Sequence, residues 1–224
     1  KNHEDWSNFY IKMLYWEMEL EGLDDLAMLE IFQNQMKEAN RLFAKYVQNH
    51  YQDWIVNQSG PLMSHQILKK KLFPILKNES IKTTLMLVID NLRFDQWKII
   101  APIIENHYQK EEEISYFSIL PTATQYARNA IFSGMMPLEM QINHPELWVD
   151  ENEKVGKNLN EEAFLKSQLQ RNGMNCQFSY SKITNLKAGR ELTQSLSNHK
   201  NDDLLVVVYN FVDMIAHAKT EMEI

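Results

Sequence analysis

The chain has 224 residues, a formal net charge of −7 and a single cysteine, Cys176. This length allows one large domain or two small ones with a buried core. The acidic balance argues against a broad nucleic-acid or membrane-binding face, because such faces need a surplus of Lys and Arg. One cysteine excludes an internal disulfide and fits a reducing compartment, and no apolar run reaches the roughly 18 residues of a membrane span. We therefore expect a cytoplasmic protein without membrane insertion.

Residues 1–79 carry the spacing of amphipathic helices. Aromatic and aliphatic side chains recur every three or four residues over positions 6–16, which predicts a first helix. A heptad stripe over positions 24–57 predicts a second, long helix, and a shorter stripe over positions 67–76 predicts a third. Such stripes are far more often core than ligand site. We interpret residues 1–79 as a three-helix bundle that couples to an effector domain.

From residue 80 the pattern changes to strands alternating with helices, which is typical of an α/β sheet. Apolar runs at 84–89 and 204–209 predict strands that are buried on both faces of a parallel sheet. A further strand is predicted at 114–120, and residues 177–180 are another strand candidate. Helices are predicted near 94–108, from Thr124 onward, and over 161–172 and 185–198, and the polar segment 141–160 is predicted to be a surface loop.

Polar side chains follow three of these predicted strands, where ligands bind in open α/β sheets. Asp90 follows the first strand, Thr122 and Thr124 follow the second, and Asp213 with His217 comes shortly after the last. Each has a purely structural alternative: Asp90 or Thr124 caps a helix, and the Asp213–His217 pair is a helical ion pair. Taken together they favour a metal site, because Asp and His bind zinc and an Asp-x-x-x-His pair lies on one helix face.

Thr124 is the candidate nucleophile of this site. At a helix N-terminus its hydroxyl lies beside unpaired backbone N–H groups and the positive end of the helix dipole, which suits a phosphate oxyanion. A threonine hydroxyl is a weak nucleophile at neutral pH, and coordination to a metal ion would lower its pKa. The candidate metal ligands are therefore Asp90, Thr124, Asp213 and His217.

Three motifs resemble a known superfamily. Residues 88–95, Val-Ile-Asp-Asn-Leu-Arg-Phe-Asp, resemble the strand-end metal motif of the alkaline phosphatase superfamily. Residues 121–124, Pro-Thr-Ala-Thr, look like the nucleophile segment of its nucleotide pyrophosphatase/phosphodiesterase branch, in which the second threonine attacks. Residues 213–217 match its Asp-x-x-x-His zinc pair. More narrowly, residues 90–96 and 122–129 resemble the PglZ domain of PorX-type response regulators, where a receiver and a helical bundle come first.

The resemblance implies a two-component response regulator of type IX secretion whose output domain is a zinc-dependent phosphodiesterase or phosphatase acting on oligonucleotide phosphodiesters. The implied partners are a sensor histidine kinase and secretion-system or sigma-factor proteins, with homodimerisation on phosphorylation. Asn129 is carried over as a substrate-binding residue. Arg93 and Arg128 either contact substrate phosphate or form ion pairs, and ion pairing is favoured. The alternative is a non-catalytic regulatory module that signals through dimerisation and partner docking.

The resemblance also implies two zinc sites, with Asp213 and His217 at one ion, Asp90 at the other and Thr124 between them. The superfamily completes these sites with a downstream Asp-His pair and a separate His, and the 224 residues contain neither. We therefore interpret residues 80–224 as the N-terminal part of an alkaline-phosphatase-like α/β domain. The chain is expected to be a fragment, inactive by itself, of an enzyme that is active at full length.

Overall fold

The computed structural model describes residues 2–22, 25–57, 59–149, 158–210 and 212–215. The chain divides into two compact units. Unit 1 comprises residues 1–62 and 93–116, and unit 2 comprises residues 63–92 and 117–224. Within the described ranges, no helix is both long and apolar enough to cross a membrane.

Helices dominate the first part of the chain, and strands alternate with helices in the rest. The helices are α1 (His3–Glu21), α2 (Leu26–Asn57), α3 (Phe73–Leu76), α4 (Phe94–Glu105), α5 (Thr124–Ser133), α6 (Pro137–Asn143), α7 (Glu161–Arg171) and α8 (Leu186–Ser195). The strands are β1 (Thr84–Ile89), β2 (Phe178–Ile183) and β3 (Leu204–Tyr209). Short turns of 3₁₀ helix at Ser64–Gln66 and Leu196–His199 and of π helix at Leu68–Leu72 complete the regular structure.

In unit 1, α1 and α2 begin at side-chain caps. The Asn2 side chain accepts a hydrogen bond from the Asp5 N–H at 2.9 Å, and the Asp5 carboxylate accepts one from the Asn2 N–H at 3.0 Å. Asp25 Oδ1 accepts the Met28 N–H at 3.0 Å, which satisfies an otherwise unpaired donor of α2. The two helices share a core of Met13, Leu20 and Phe32. The predicted first and second helices are confirmed.

The predicted third helix is present, but it belongs to unit 2 and not to unit 1. Residues 67–76 are helical, and Leu68 and Phe73 are buried. The 3₁₀ turn at Ser64–Gln66 packs against α5. The Ser64 Oγ accepts a hydrogen bond from the Ile119 N–H at 3.2 Å. Unit 1 instead combines α1 and α2 with α4, which contacts α1. The three- and four-residue spacing of apolar side chains predicts where a helix lies along the chain, but long-range contacts decide which unit the helix joins.

In unit 2, the three described strands form a parallel sheet in the order β1-β3-β2. Residues 204–208 of the central strand are all buried. On one face α5 packs against α7, and the Phe132 ring of α5 meets Tyr180 of β2 edge-on at 6.0 Å. On the other face, α8 contributes Ala188 and Leu192 to a cluster with Ile183, Leu205 and Val207. The predictions of an α/β fold and of strands at 84–89, 177–180 and 204–209 are confirmed.

Two predictions about strands are wrong. Residues 114–120 form no strand; Phe117 makes a single bridge to Met63, and the Ile119 N–H bonds to a side chain instead of a neighbouring strand. Strand β1 is not buried on both faces, since Leu85 and Leu87 are 56% and 50% exposed. In the described part of the sheet β1 is an edge strand, and the apolar cluster under α8 contains residues of β2 and β3.

The polar segment predicted as a surface loop is only partly described. Its first residues, 141–143, belong to the end of α6, and residues 144–149 and 158–160 contain no helix or strand. Residues 150–157 lie outside the described ranges.

Candidate active site at the carboxyl end of the sheet

Two polar residues stand directly after neighbouring strands. Asp90 follows β1 and Asn210 follows β3. The Asp90 N–H donates to the Tyr209 carbonyl at 3.1 Å, which extends the ladder by one residue. Asn91 then has φ 62°, in the left-handed region that Asn tolerates better than most residues, so the chain turns away at once. The Asp90 and Asn210 side chains therefore meet at the same edge of the sheet.

Helix α5 brings Thr124 to this edge. Thr124 is the first residue of α5, and its side chain is exposed. Arg128 comes four residues later on the same helix face, about 6 Å along the axis. Its Nη1 donates to Asp90 Oδ2 at 2.5 Å and to Asn210 Oδ1 at 3.1 Å. The Arg128 contacts thus connect the turn that carries Thr124 with the ends of β1 and β3.

Glu161, the first residue of α7, lies behind Arg128 and is fully buried. Its carboxylate accepts hydrogen bonds from Arg128 Nε, from the Tyr180 hydroxyl at 2.7 Å and from Lys182 Nζ at 3.1 Å. A buried carboxylate needs such partners, because its charge has lost its water. Burial, and next the Glu161 charge, raise the pKa of Tyr180, so its hydroxyl remains a donor.

Asn158 joins the start of α5 to this ionic network. Its Nδ2 donates to the Thr124 carbonyl and to Asn129 Oδ1, both at 3.2 Å. Lys182 Nζ donates to the Asn158 carbonyl at 2.8 Å. Asn129 is itself buried, and the bond from Asn158 fixes the direction in which its amide faces.

The partly buried Asp90 carboxyl is influenced by the charge of a second carboxylate, Asp213. Burial is the main cause that raises the pKa of Asp90; Arg128 lowers it, and the charges of Asp213 and Glu161 raise it further. A partly desolvated carboxyl that also experiences the charge of a second carboxylate is stabilised in its ionised form by a cation. Carboxylate oxygens are ligands that divalent ions accept, so the donor chemistry of Asp90 and Asp213 fits a metal ion.

The described ranges supply only part of such a site. In them, no group of three or more His, Cys, Asp and Glu side chains is arranged to hold a metal ion. His217, the predicted partner of Asp213, lies outside the described residues. Two carboxylate donors, Asp90 and Asp213, are therefore what the described geometry offers.

Comparison with protein families identifies the domain in which this candidate site lies. Residues 67–224, more than half of the chain, match the family described as the BREX system PglZ alkaline phosphatase-like domain. The chain belongs to this PglZ family. Residues 1–55 match the PorX response regulator linker domain. No curated protein matches the chain. The predicted resemblance to a PorX-like regulator with a PglZ domain is thereby confirmed, and the residues of the candidate site all lie within the PglZ match.

The structure connects some of the predicted site residues of the PglZ domain and not others. Asp90 and Asp213 interact electrostatically. Thr124 is linked to Asp90 through Arg128, which lies on the same helix as Thr124 and donates a hydrogen bond to Asp90. Arg128 forms ion pairs, as favoured from the sequence. Arg93 belongs to unit 1 and pairs with Asp95, its Nη2 donating to Oδ2 at 2.7 Å.

Sequence reasoning missed most of the residues around Asp90. Asn210 could have been found, because it follows a buried strand as directly as Asp90 does. Glu161 had no such signal, since an acidic residue in the first turn of a helix is common for reasons of the helix dipole. Lys182 and Tyr180 lie within a strand, and Asn158 lies in a loop, so only tertiary packing brings them together.

Proposed function

We propose that the chain is part of a response regulator whose PglZ domain is a zinc-dependent phosphodiesterase or phosphatase with Thr124 as its nucleophile. The PglZ match supports a phosphoesterase-like domain, and the PorX linker match supports a signalling regulator. The observation that carries the assignment of residues is the bond from Arg128, one turn after Thr124, to Asp90 at the end of β1. It joins the candidate nucleophile segment to a candidate metal ligand.

In the proposed reaction the Thr124 Oγ1 loses its proton to solvent and bonds to phosphorus while the bond from phosphorus to the leaving oxygen breaks on the opposite side, and the leaving oxygen takes up a proton. Water then attacks phosphorus, the bond from phosphorus to Oγ1 breaks, the phosphate product is released, and Oγ1 takes up a proton to restore the hydroxyl. The first N–H groups of α5 point toward the phosphoryl oxygens, where they stabilise negative charge. Asp90, Asp213 and His217 would hold zinc, which would supply positive charge and lower the pKa of the attacking hydroxyl. Thr124 Oγ1 would supply a further oxygen ligand.

The proposed substrates are short oligonucleotide phosphodiesters. A chain with net charge −7 lacks the cationic surplus that long duplexes require, whereas a compact metal site can hold a single phosphodiester. Asn129 is proposed to contact the substrate. We also propose a cytoplasmic location, a sensor histidine kinase and secretion-system or sigma-factor partners, and a role in type IX secretion.

Thr122 provides a matched control for a test of the nucleophile. In the full-length protein supplied with zinc, Thr124→Val should lower the rate of bis(p-nitrophenyl) phosphate hydrolysis on the order of 10³-fold or more. Thr122→Val also removes an exposed hydroxyl from the same segment, and its rate should stay within a few-fold of wild type. Equal rates for wild type and Thr124→Val would refute the proposed mechanism.

A second candidate function is a non-catalytic module that signals through association. The PorX linker match and the length of α2 favour it, because a long helix can transmit a change from an upstream receiver. In that case phosphorylation of the receiver should convert monomer to dimer without any zinc-dependent hydrolysis. Light scattering measures the molar mass before and after phosphorylation, and an unchanged mass would contradict this function.

A further inference from the structure

We propose that Arg128 is a positioning residue that fixes the Asp90 carboxylate for metal binding, and that Glu161 holds Arg128 in this role. The proposal rests on the proposed function, in which Asp90 is a metal ligand. Arg128 is 5% exposed and Glu161 is 0% exposed, so the pair is set into the protein beneath the candidate site. Neither residue would itself touch the metal ion.

The geometry gives Arg128 control over the direction of Asp90. A guanidinium is a rigid planar fork. Here its Nε bonds to Glu161 on α7, while its Nη1 bonds to Asp90 and Asn210 at the ends of β1 and β3. A carboxylate has about four acceptor positions, and Arg128 Nη1 contacts only Oδ2 of Asp90. The Arg128 contact therefore orients the carboxylate and still leaves acceptor capacity for a ligand.

The charges explain why a buried Glu161 is needed. An unpaired guanidinium beside Asp90 would repel a divalent cation and weaken its binding. The fully buried Glu161 offsets part of the Arg128 charge at close range, which leaves more of the negative charge of Asp90 and Asp213 available to a cation. Glu161 thus reduces the repulsion that an arginine beside a metal ligand would otherwise exert on the metal.

A role through Asp90 differs measurably from a role in folding alone. If Arg128 acts by orienting Asp90, its replacement should weaken zinc binding only while residue 90 is aspartate. An ion pair that only stabilises the fold would lower stability without this dependence. The decisive quantity is therefore the coupling between positions 128 and 90 in zinc affinity.

The experiment measures zinc dissociation constants for the full-length protein by competition with a chromophoric chelator. Arg128→Lys keeps the charge but cannot reach its three partners at once, and it should weaken zinc binding about 10- to 100-fold. In the Asp90→Asn background the same change should cost less than about 3-fold. Arg171→Lys is the control, because the exposed Arg171 also donates to a buried residue, but its acceptor is the Ser133 carbonyl and not Asp90. Its zinc affinity should equal that of wild type.

Unchanged or tighter zinc binding by Arg128→Lys would overturn the proposal, as would equal losses in the wild-type and Asp90→Asn backgrounds. Circular dichroism checks the folding of each variant. If Arg128→Lys does not fold, Glu161→Gln provides the test. This variant removes the charge that offsets Arg128 and should weaken zinc binding. Wild-type zinc affinity of Glu161→Gln would overturn the proposal.

Weakened zinc binding by Asp90→Asn, with no effect of Arg128→Lys, would refute the role of Arg128 alone. Wild-type affinity of Asp90→Asn would refute the ligand assignment itself.

Discussion

Glu161 and Glu162 are adjacent in the first turn of α7, but only Glu161 is buried. Glu161→Ala would leave Arg128 and Lys182 without the carboxylate that pairs with both, which should lower the free energy of unfolding by about 3–5 kcal/mol. Glu162→Ala removes an exposed carboxylate from the same turn and should change the free energy of unfolding by about 0.5 kcal/mol or less. Urea unfolding of both variants measures the difference. Similar losses would show that the buried network contributes little.

The places of Asp90 and Thr124 in the fold were predictable, because their positions along the chain are themselves informative. Asp90 and Thr124 stand at the end of a strand or at the start of a helix, where polar groups gather at one sheet edge. Arg128 was correctly expected to form ion pairs. Glu161 and Lys182 could not be found, because nothing local distinguishes a buried charge from an exposed one on the same element.

Strands β1 and β3 are similar in sequence but differ in burial. Leu85 and Leu205 are register partners on the same face, and their exposed fractions are 56% and 4%. Leu205→Ala should therefore lower the free energy of unfolding by about 2–5 kcal/mol, through lost burial and a residual cavity. Leu85→Ala should lower the free energy of unfolding by less than about 1 kcal/mol. Thermal or urea unfolding of the chain compares them, and equal costs would contradict the described packing of α8.

The two strands also show what an apolar run can and cannot predict. Leu-Met-Leu-Val-Ile and Leu-Leu-Val-Val-Val both indicate strands, and both are strands. The number of covered faces depends on where α8 packs, and α8 lies far from β1 in sequence. Residues 114–120 were also predicted to form a strand, but they have no partner strand in the described sheet, because strand pairing depends on tertiary structure.

At the scale of the whole molecule, the order of the motifs was more informative than their periodicity. Three short motifs in the correct order indicated the PglZ family and its PorX-type context, and the family matches confirm both. The grouping of residues 93–116 with residues 1–62 was not predictable, because it depends on contacts such as those between α1 and α4. The division into domains at residue 79 stays a prediction from the sequence.

The central claim is that Asp90, Thr124 and Asp213 surround bound zinc. The most direct test is a crystal structure of the full-length protein with zinc, recorded at the zinc absorption edge. We predict two anomalous peaks about 3.5–4 Å apart, one within about 2.2 Å of an Asp90 oxygen and one within the same distance of an Asp213 oxygen, with Thr124 Oγ1 between them. Zinc bound elsewhere in the PglZ domain, with no peak at either carboxylate, would contradict the account.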